Sequence, residues 1–116
     1  MNKFRKLEVW QKAIDLCVDV YALTESIPKR EQYGLTSQLT RSAVSVPSNI
    51  AEGAGRNSKG EFNQFLGIAL GSLAELETQL IIANKLKYIG DTDSSKMEKQ
   101  ITAIRNMAYG LQKSIK

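Results

Sequence analysis

The chain has no histidine and a single cysteine among its 116 residues, and these two shortages exclude a wide range of chemistry. Without histidine there is no serine triad, no histidine acid/base pair and no Glu-x-x-His ligand set of the helical di-iron kind. Cys17 alone closes no intrachain disulfide and, with no histidine to help it, builds no structural zinc site. Its place on an apolar stripe marks it as a small core residue. The sequence therefore implies no enzyme, no metal and no cofactor. Two prolines and eight scattered glycines exclude a disordered, collagen-like or linker-rich chain. Aromatic residues make up 7%, with no stacking platform of the kind single-strand binders use. The longest apolar runs, Val20 to Leu23 and Leu80 to Ala83, are four residues, against the roughly 18 needed to span a bilayer. The basic start Met1-Asn2-Lys3-Phe4-Arg5-Lys6 has no apolar stretch behind it and reads as no signal peptide. No membrane segment and a cytoplasmic location are the expectation.

What is present is an apolar fraction of 42% in a chain of single-domain length, enough for one core spanning residues 1–116. No stretch of four or more residues alternates as a half-buried strand requires, whereas four segments carry apolar residues at steps of three and four. The first, from about Leu7 to Ser26, places Leu7, Trp10, Ile14, Cys17 and Tyr21 inward and ends at Ile27-Pro28, where proline disfavours the helical conformation of its predecessor. The second, about Leu35 to Glu52, turns Leu39, Ala43, Val46 and Ile50 inward. Pro47 lies inside it and kinks or restarts it, because its ring removes the bond to the Ala43 carbonyl. Ser48 and Asn49 are expected to satisfy the groups so freed. Gly53-Ala54-Gly55-Arg56-Asn57 reads as a loop, and Ser58 with Glu61 as the capping box of a third helix running to about Tyr88, with Phe62, Leu66, Ala69, Leu73, Leu76, Leu80 and Ala83 inward. Gly90 to Asp93, with a second box at Ser95 and Glu98, leads into a fourth helix bearing Met97, Ile101, Ile104, Ala108, Leu111 and Ile115. Four amphipathic segments on short connections spell an all-α, antiparallel up-down-up-down four-helix bundle with a proline-kinked second helix.

Two helices carry an apolar or neutral face that a lone bundle does not need. On the first, Val9, Ala13, Leu16, Val20, Leu23 and Ile27 form a second stripe. On the third, Gly67, Gly71, Ala74, Thr78 and Ile82 lie opposite the core stripe, although each mid-helix glycine costs about 0.5 to 1 kcal/mol relative to alanine. Self-association is the expectation, with Val9, Leu16, Val20, Leu23, Ile27, Gly67, Gly71, Ala74 and Thr78 as the interface.

The net charge of +4 lies wholly at the C-terminal end: residues 1–93 hold 11 basic and 11 acidic side chains, while residues 94–116 hold Lys96, Lys99, Arg105, Lys113 and Lys116 against Glu98 alone. These bases point in several directions around their helix. Gly53-x-Gly55 lacks the preceding strand and the following Gly-Lys-Ser/Thr of a phosphate loop. Arg56 and Lys59 flank a helix N-terminus, where free N–H groups favour anions. Phosphate contacts are therefore expected from Arg56, Lys59, Lys96, Lys99, Arg105 and Lys113. Glu75 and Glu77, about 200° apart on one helix, do not converge as an acid/base pair and read as partners for bases on neighbouring helices or subunits. Arg41 is expected to pair with Glu52, Glu75 or Glu77 across helices.

The stretch Arg41-Ser42-Ala43-Val44-Ser45-Val46-Pro47-Ser48-Asn49-Ile50-Ala51-Glu52-Gly53 resembles the signature of the bacterial four-helix-bundle proteins encoded within intervening sequences of large-subunit ribosomal RNA genes. Leu7-Glu8-Val9-Trp10-Gln11-Lys12-Ala13, Tyr33-Gly34-Leu35-Thr36-Ser37-Gln38, Glu61-Phe62 with Phe65-Leu66, and Ala69-Leu70-Gly71-Ser72-Leu73-Ala74-Glu75-Leu76-Glu77-Thr78-Gln79-Leu80 are similar to further blocks of that family, in the same order. The resemblance implies a ring, typically a homopentamer, without established catalysis. A related branch, the accessory variability protein of diversity-generating retroelements, implies nucleic acid and a reverse transcriptase as partners. Five copies would pool about +20 of charge for non-specific, salt-sensitive binding of RNA or DNA. The alternative is a protein-interaction scaffold with no nucleic-acid role. Ala54 departs from the family pattern, which commonly has a larger residue there.

Overall fold

The computed structural model describes residues 3–115, so Met1, Asn2 and Lys116 lie outside the described residues. Four α-helices follow a short 3-10 turn: α1 (Glu8–Leu23), α2 (Leu35–Ala54), α3 (Lys59–Lys85) and α4 (Asp91–Ser114). Each packs on its neighbours in sequence, and α4 closes back on α1. The result is an all-α bundle 43 Å long with cross-section extents of 24 and 20 Å, the length that 27 residues of α3 cover at about 1.5 Å per residue.

The core is assembled from one stripe of each helix: Val9, Ala13, Leu16 and Val20 of α1; Leu39, Ala43, Val46 and Ile50 of α2; Leu66, Leu73, Leu76 and Leu80 of α3; Met97, Ile101, Ile104 and Ala108 of α4. On α2, α3 and α4 these are the stripes expected from spacing. On α1 the expectation is reversed. The Val9 stripe faces the core, while Trp10, Ile14 and Cys17 are half-buried and Tyr21 is 49% exposed. Small and branched aliphatic side chains fit the close centre of a bundle. A tryptophan or tyrosine, bulky and with a polar tip to hydrate, suits its rim. Trp10 accordingly packs edge-on to Phe4 with ring centroids 5.2 Å apart.

The connections show how the chain turns. Thr24–Ser26 continue α1 as a 3-10 turn, and Ile27 is extended (φ −88°, ψ 135°) ahead of Pro28, as proline requires. α2 continues as one helix on both sides of buried Pro47, with no restart. Asn49 donates to the carbonyl and hydroxyl oxygens of Ser45 at 2.8 and 2.9 Å, not to the Ala43 carbonyl that Pro47 leaves free. Gly53 is not a loop residue. It belongs to α2, where the helix comes closest to Phe62 and Phe65 of α3.

Ser58 Oγ accepts from the Glu61 N–H at 3.1 Å, the expected cap of α3. α3 ends without a glycine. Lys87 takes the left-handed conformation (φ 64°), and the Tyr88 and Lys87 N–H groups bond to the Ala83 and Asn84 carbonyls at 2.9 Å each, which is a Schellman ending. Gly90 then serves as the N-cap of α4 without a side-chain bond, so Ser95 and Glu98 lie inside the helix and form no capping box.

Candidate interfaces on the outer faces

The α1 half of the expected oligomer interface is not a surface. Val9, Leu16, Val20 and Ile27 are between 0 and 7% exposed within the single chain, and Leu23 is half-buried against the same core. Spacing alone does not distinguish a stripe that faces its own bundle from one that faces another molecule, because both are apolar at the same period.

The α3 half is different. Gly67, Gly71, Ala74 and Thr78 are exposed, together with Ile68, Ile81 and Ile82 at 43–44%. A Cβ placed on Gly71 would meet nothing within 4 Å, and one on Gly67 would meet only the Gln112 side chain at 3.8 Å. The chain's own packing therefore gives no reason for either glycine. By length and composition α3 is apolar enough to cross a membrane, with a third of its most apolar window buried. Glu75, Glu77 and Gln79 near its middle make such a crossing expensive, and its other face builds the core.

Beside this face, a groove of about 340 Å³ runs between α2 and α3, lined by Gln38, Arg41, Ser42, Ser45, Glu75 and Gln79. Hydroxyls tie its floor: Ser42 Oγ donates to Gln79 Oε1 at 2.7 Å, and Ser45 and Ser72 share a 2.8 Å bond. The expected intrachain pairing of Arg41 does not form. Glu52 is paired with Arg56 at 2.8 Å, Glu77 is paired with Arg105, and Arg41 and Glu75 take part in no ion pair within 4.0 Å among the described residues.

The six expected phosphate contacts divide as well. Arg56 is held by Glu52 and, at 3.6 Å, by Glu61, and lies 4.9 Å above the Phe65 ring. It clasps the α2–α3 corner. Nearby Ala54 lines a 210 Å³ hollow with Lys3 and Phe4. Arg105 is turned toward α3 and its pair Glu77, leaving Lys59, Lys96, Lys99 and Lys113 exposed.

The bases of α4 are therefore less scattered than expected. At 100° per residue, Lys96, Lys99 and Lys113 fall within an arc of about 100°, spread over about 26 Å of helix. Ala103, Asn106 and Gly110 lie among them, all exposed, and the exposed acids Asp91 and Asp93 stand in the first turn of the same helix. The acid of this stretch, Glu98, is turned to α3, where it meets Glu77 and Arg105. Lys96 is the one of the three with an acid in reach, Asp19 of α1 at 4.0 Å, and its side chain is 64% exposed.

Glu98 is itself perturbed. Desolvation, then hydrogen bonding to and repulsion by Glu77, raise its pKa above the ordinary glutamate value, against the lowering by Arg105. A raised carboxyl pKa stabilises the fold below the unfolded-state value, and the contribution is lost as pH rises through the folded-state value. Glu98→Gln keeps a donor for Glu77 and removes the repulsion. It is expected to unfold at a higher temperature than the parent at pH 7, and the difference should shrink below pH 4, where both proteins are uncharged at this position. Thermal melts across that range are the check.

Cys17 offers no reactive thiolate, since burial pushes its pKa up. Among the described residues, no group of three or more cysteine, aspartate and glutamate side chains is placed to hold a metal ion.

The fold recurs in a solved crystal structure, a protein of unknown function from the S23 ribosomal protein family of Bacteroides thetaiotaomicron. Its TM-score is 0.81 at 23% identity, covering 90% of this chain and 98% of that one. No curated protein matches the chain. Residues 5–110, which include the α2 signature, the small-residue face of α3 and most of the lysine face of α4, match the model of the 23S rRNA-intervening sequence protein family, so this chain belongs to that family.

Proposed function

We propose that the protein is a non-catalytic, self-associating helical bundle that binds RNA or DNA through phosphate contacts, as an accessory factor. The observation that carries this reading is the outer face of α4, where Lys96, Lys99 and Lys113 are exposed while Glu98, the one acid between them in sequence, lies against Glu77 and Arg105, and Asp91 and Asp93 stand in the first turn of the helix. A face on which bases outnumber acids attracts a polyanion without reading its sequence, since phosphates dominate affinity and base edges carry specificity. Association multiplies that field: in the homopentameric ring that the resemblance implies, five such faces would act together. The accessory proteins of diversity-generating retroelements, the related branch that the resemblance brings in, would add a reverse transcriptase as a candidate protein partner.

A titration with structured RNA at two salt concentrations tests this. The affinity is expected to fall steeply with salt, and replacing Lys96, Lys99 and Lys113 together by alanine should flatten the log–log slope by about one for each lysine engaged. Absence of binding at low salt would refute the nucleic-acid role and leave the scaffold reading, which the neutral face of α3 favours.

A further inference from the structure

We infer that the α2–α3 groove is where copies of this chain meet, with Arg41 of one copy against Glu75 of another. The inference rests on the self-association reading above and adds the face and the pairing. Between residues 35 and 51, Arg41 is the one exposed charge of α2; between residues 62 and 84, Glu75 is the one exposed charge of α3. Both line the same groove. The acids expected to satisfy Arg41 within the chain have other commitments, Glu52 to Arg56 and Glu77 to Arg105.

A neutral face with one unpaired base and one unpaired acid is complementary in charge to a second copy of itself. It is a poor match for a polyanion, which Arg41 attracts and Glu75 repels. The floor is low enough for close approach. Ser42 and Ser45 line it with short side chains, and on α3, one turn before Glu75, the space beside Gly71 is empty within the chain. A flat surface with a long fork-shaped donor suits a bidentate contact to a carboxylate.

Charge reversal tests the pairing. Sedimentation at micromolar concentration should give the parent a mass above the 12.9 kDa of one chain. Arg41→Glu and Glu75→Arg, each confirmed as folded by circular dichroism, should each weaken association about tenfold or more, since like charges then face each other. An equimolar mixture of the two variants should associate more tightly than either variant alone, because each supplies the charge the other lacks. A structural role within one chain would not produce that rescue. Gly71→Ala gives an independent reading: it should raise the unfolding temperature of the single chain and weaken association.

Single reversals that leave the assembly intact, or a mixture no better than its components, overturn the pairing while self-association through another face survives. A monomeric parent overturns both.

Discussion

Gly53→Ala is expected to destabilise the bundle by about 2–3 kcal/mol, within the range of overpacked cores. A Cβ at this position would lie 2.6 Å from Phe65 Cβ, 3.1 Å from Phe62 Cδ1 and 3.3 Å from the Phe62 carbonyl oxygen. The nearest of these atoms is fixed to the backbone of α3 and does not move aside by a change of rotamer. Relief requires α2 to withdraw from α3, the two helices that bring Leu39, Val46 and Ile50 against Leu66, Leu73 and Leu76. The gain in helix propensity from glycine to alanine, about 1 kcal/mol, opposes the loss but is smaller. Urea unfolding reads the result as a lower midpoint. A midpoint equal to or above that of the parent would show that the helices do not approach so closely. Gly71→Ala is the control, because the same exchange there meets nothing within the chain; at protein concentrations low enough that parent and variant are both single chains, it should show the propensity gain alone.

The contrast between those two glycines shows what the sequence makes legible. Periodicity marks α2, α3 and α4 and their inward stripes, because a 3.6-residue repeat of apolar side chains has one structural meaning over twenty residues or more. The Ser58 cap is equally local, a hydroxyl three residues before the N–H it accepts from. Gly53 is not local. Its reason lies in Phe62 and Phe65 on another helix, so within the sequence it reads as the start of a loop. Lys87 hides the end of α3 in the same way, since a left-handed residue is anticipated where a glycine stands, and here a lysine occupies it.

The candidate surfaces were legible in part. The small-residue face of α3 is visible as spacing, and the surplus of bases in the last quarter as a count. That Arg105 is bound to Glu77 and Lys96 reaches Asp19, while Lys99 and Lys113 have no acid within 4.0 Å among the described residues, depends on which way each helix is rotated, and tertiary packing alone fixes that. The pairing of Arg41 is subject to the same limit: three acids were equally eligible by sequence, and two are taken by other partners.

Rotation of α1 is the most consequential of these, and one pair of substitutions measures it. Leu16→Ala should cost about 3 kcal/mol, the middle of the range for deleting a buried leucine side chain, because Leu16 is 1% exposed and sits among the four-helix core. Tyr21→Ala should cost less than about 1 kcal/mol, the usual limit for a surface position that anchors no buried network, because half of Tyr21 is already in water. The opposite order would follow if the Trp10–Tyr21 stripe faced inward and the Val9–Leu16–Val20 stripe met a second copy. In that case Leu16→Ala would dissociate the assembly and leave the single chain as stable as before. Measuring both variants by urea unfolding and by sedimentation therefore separates two architectures with the same apolar periodicity. Leu16→Ala destabilises the chain at every protein concentration if α1 is rotated as the structure has it, and only through lost assembly, with a concentration-dependent midpoint, if it is not.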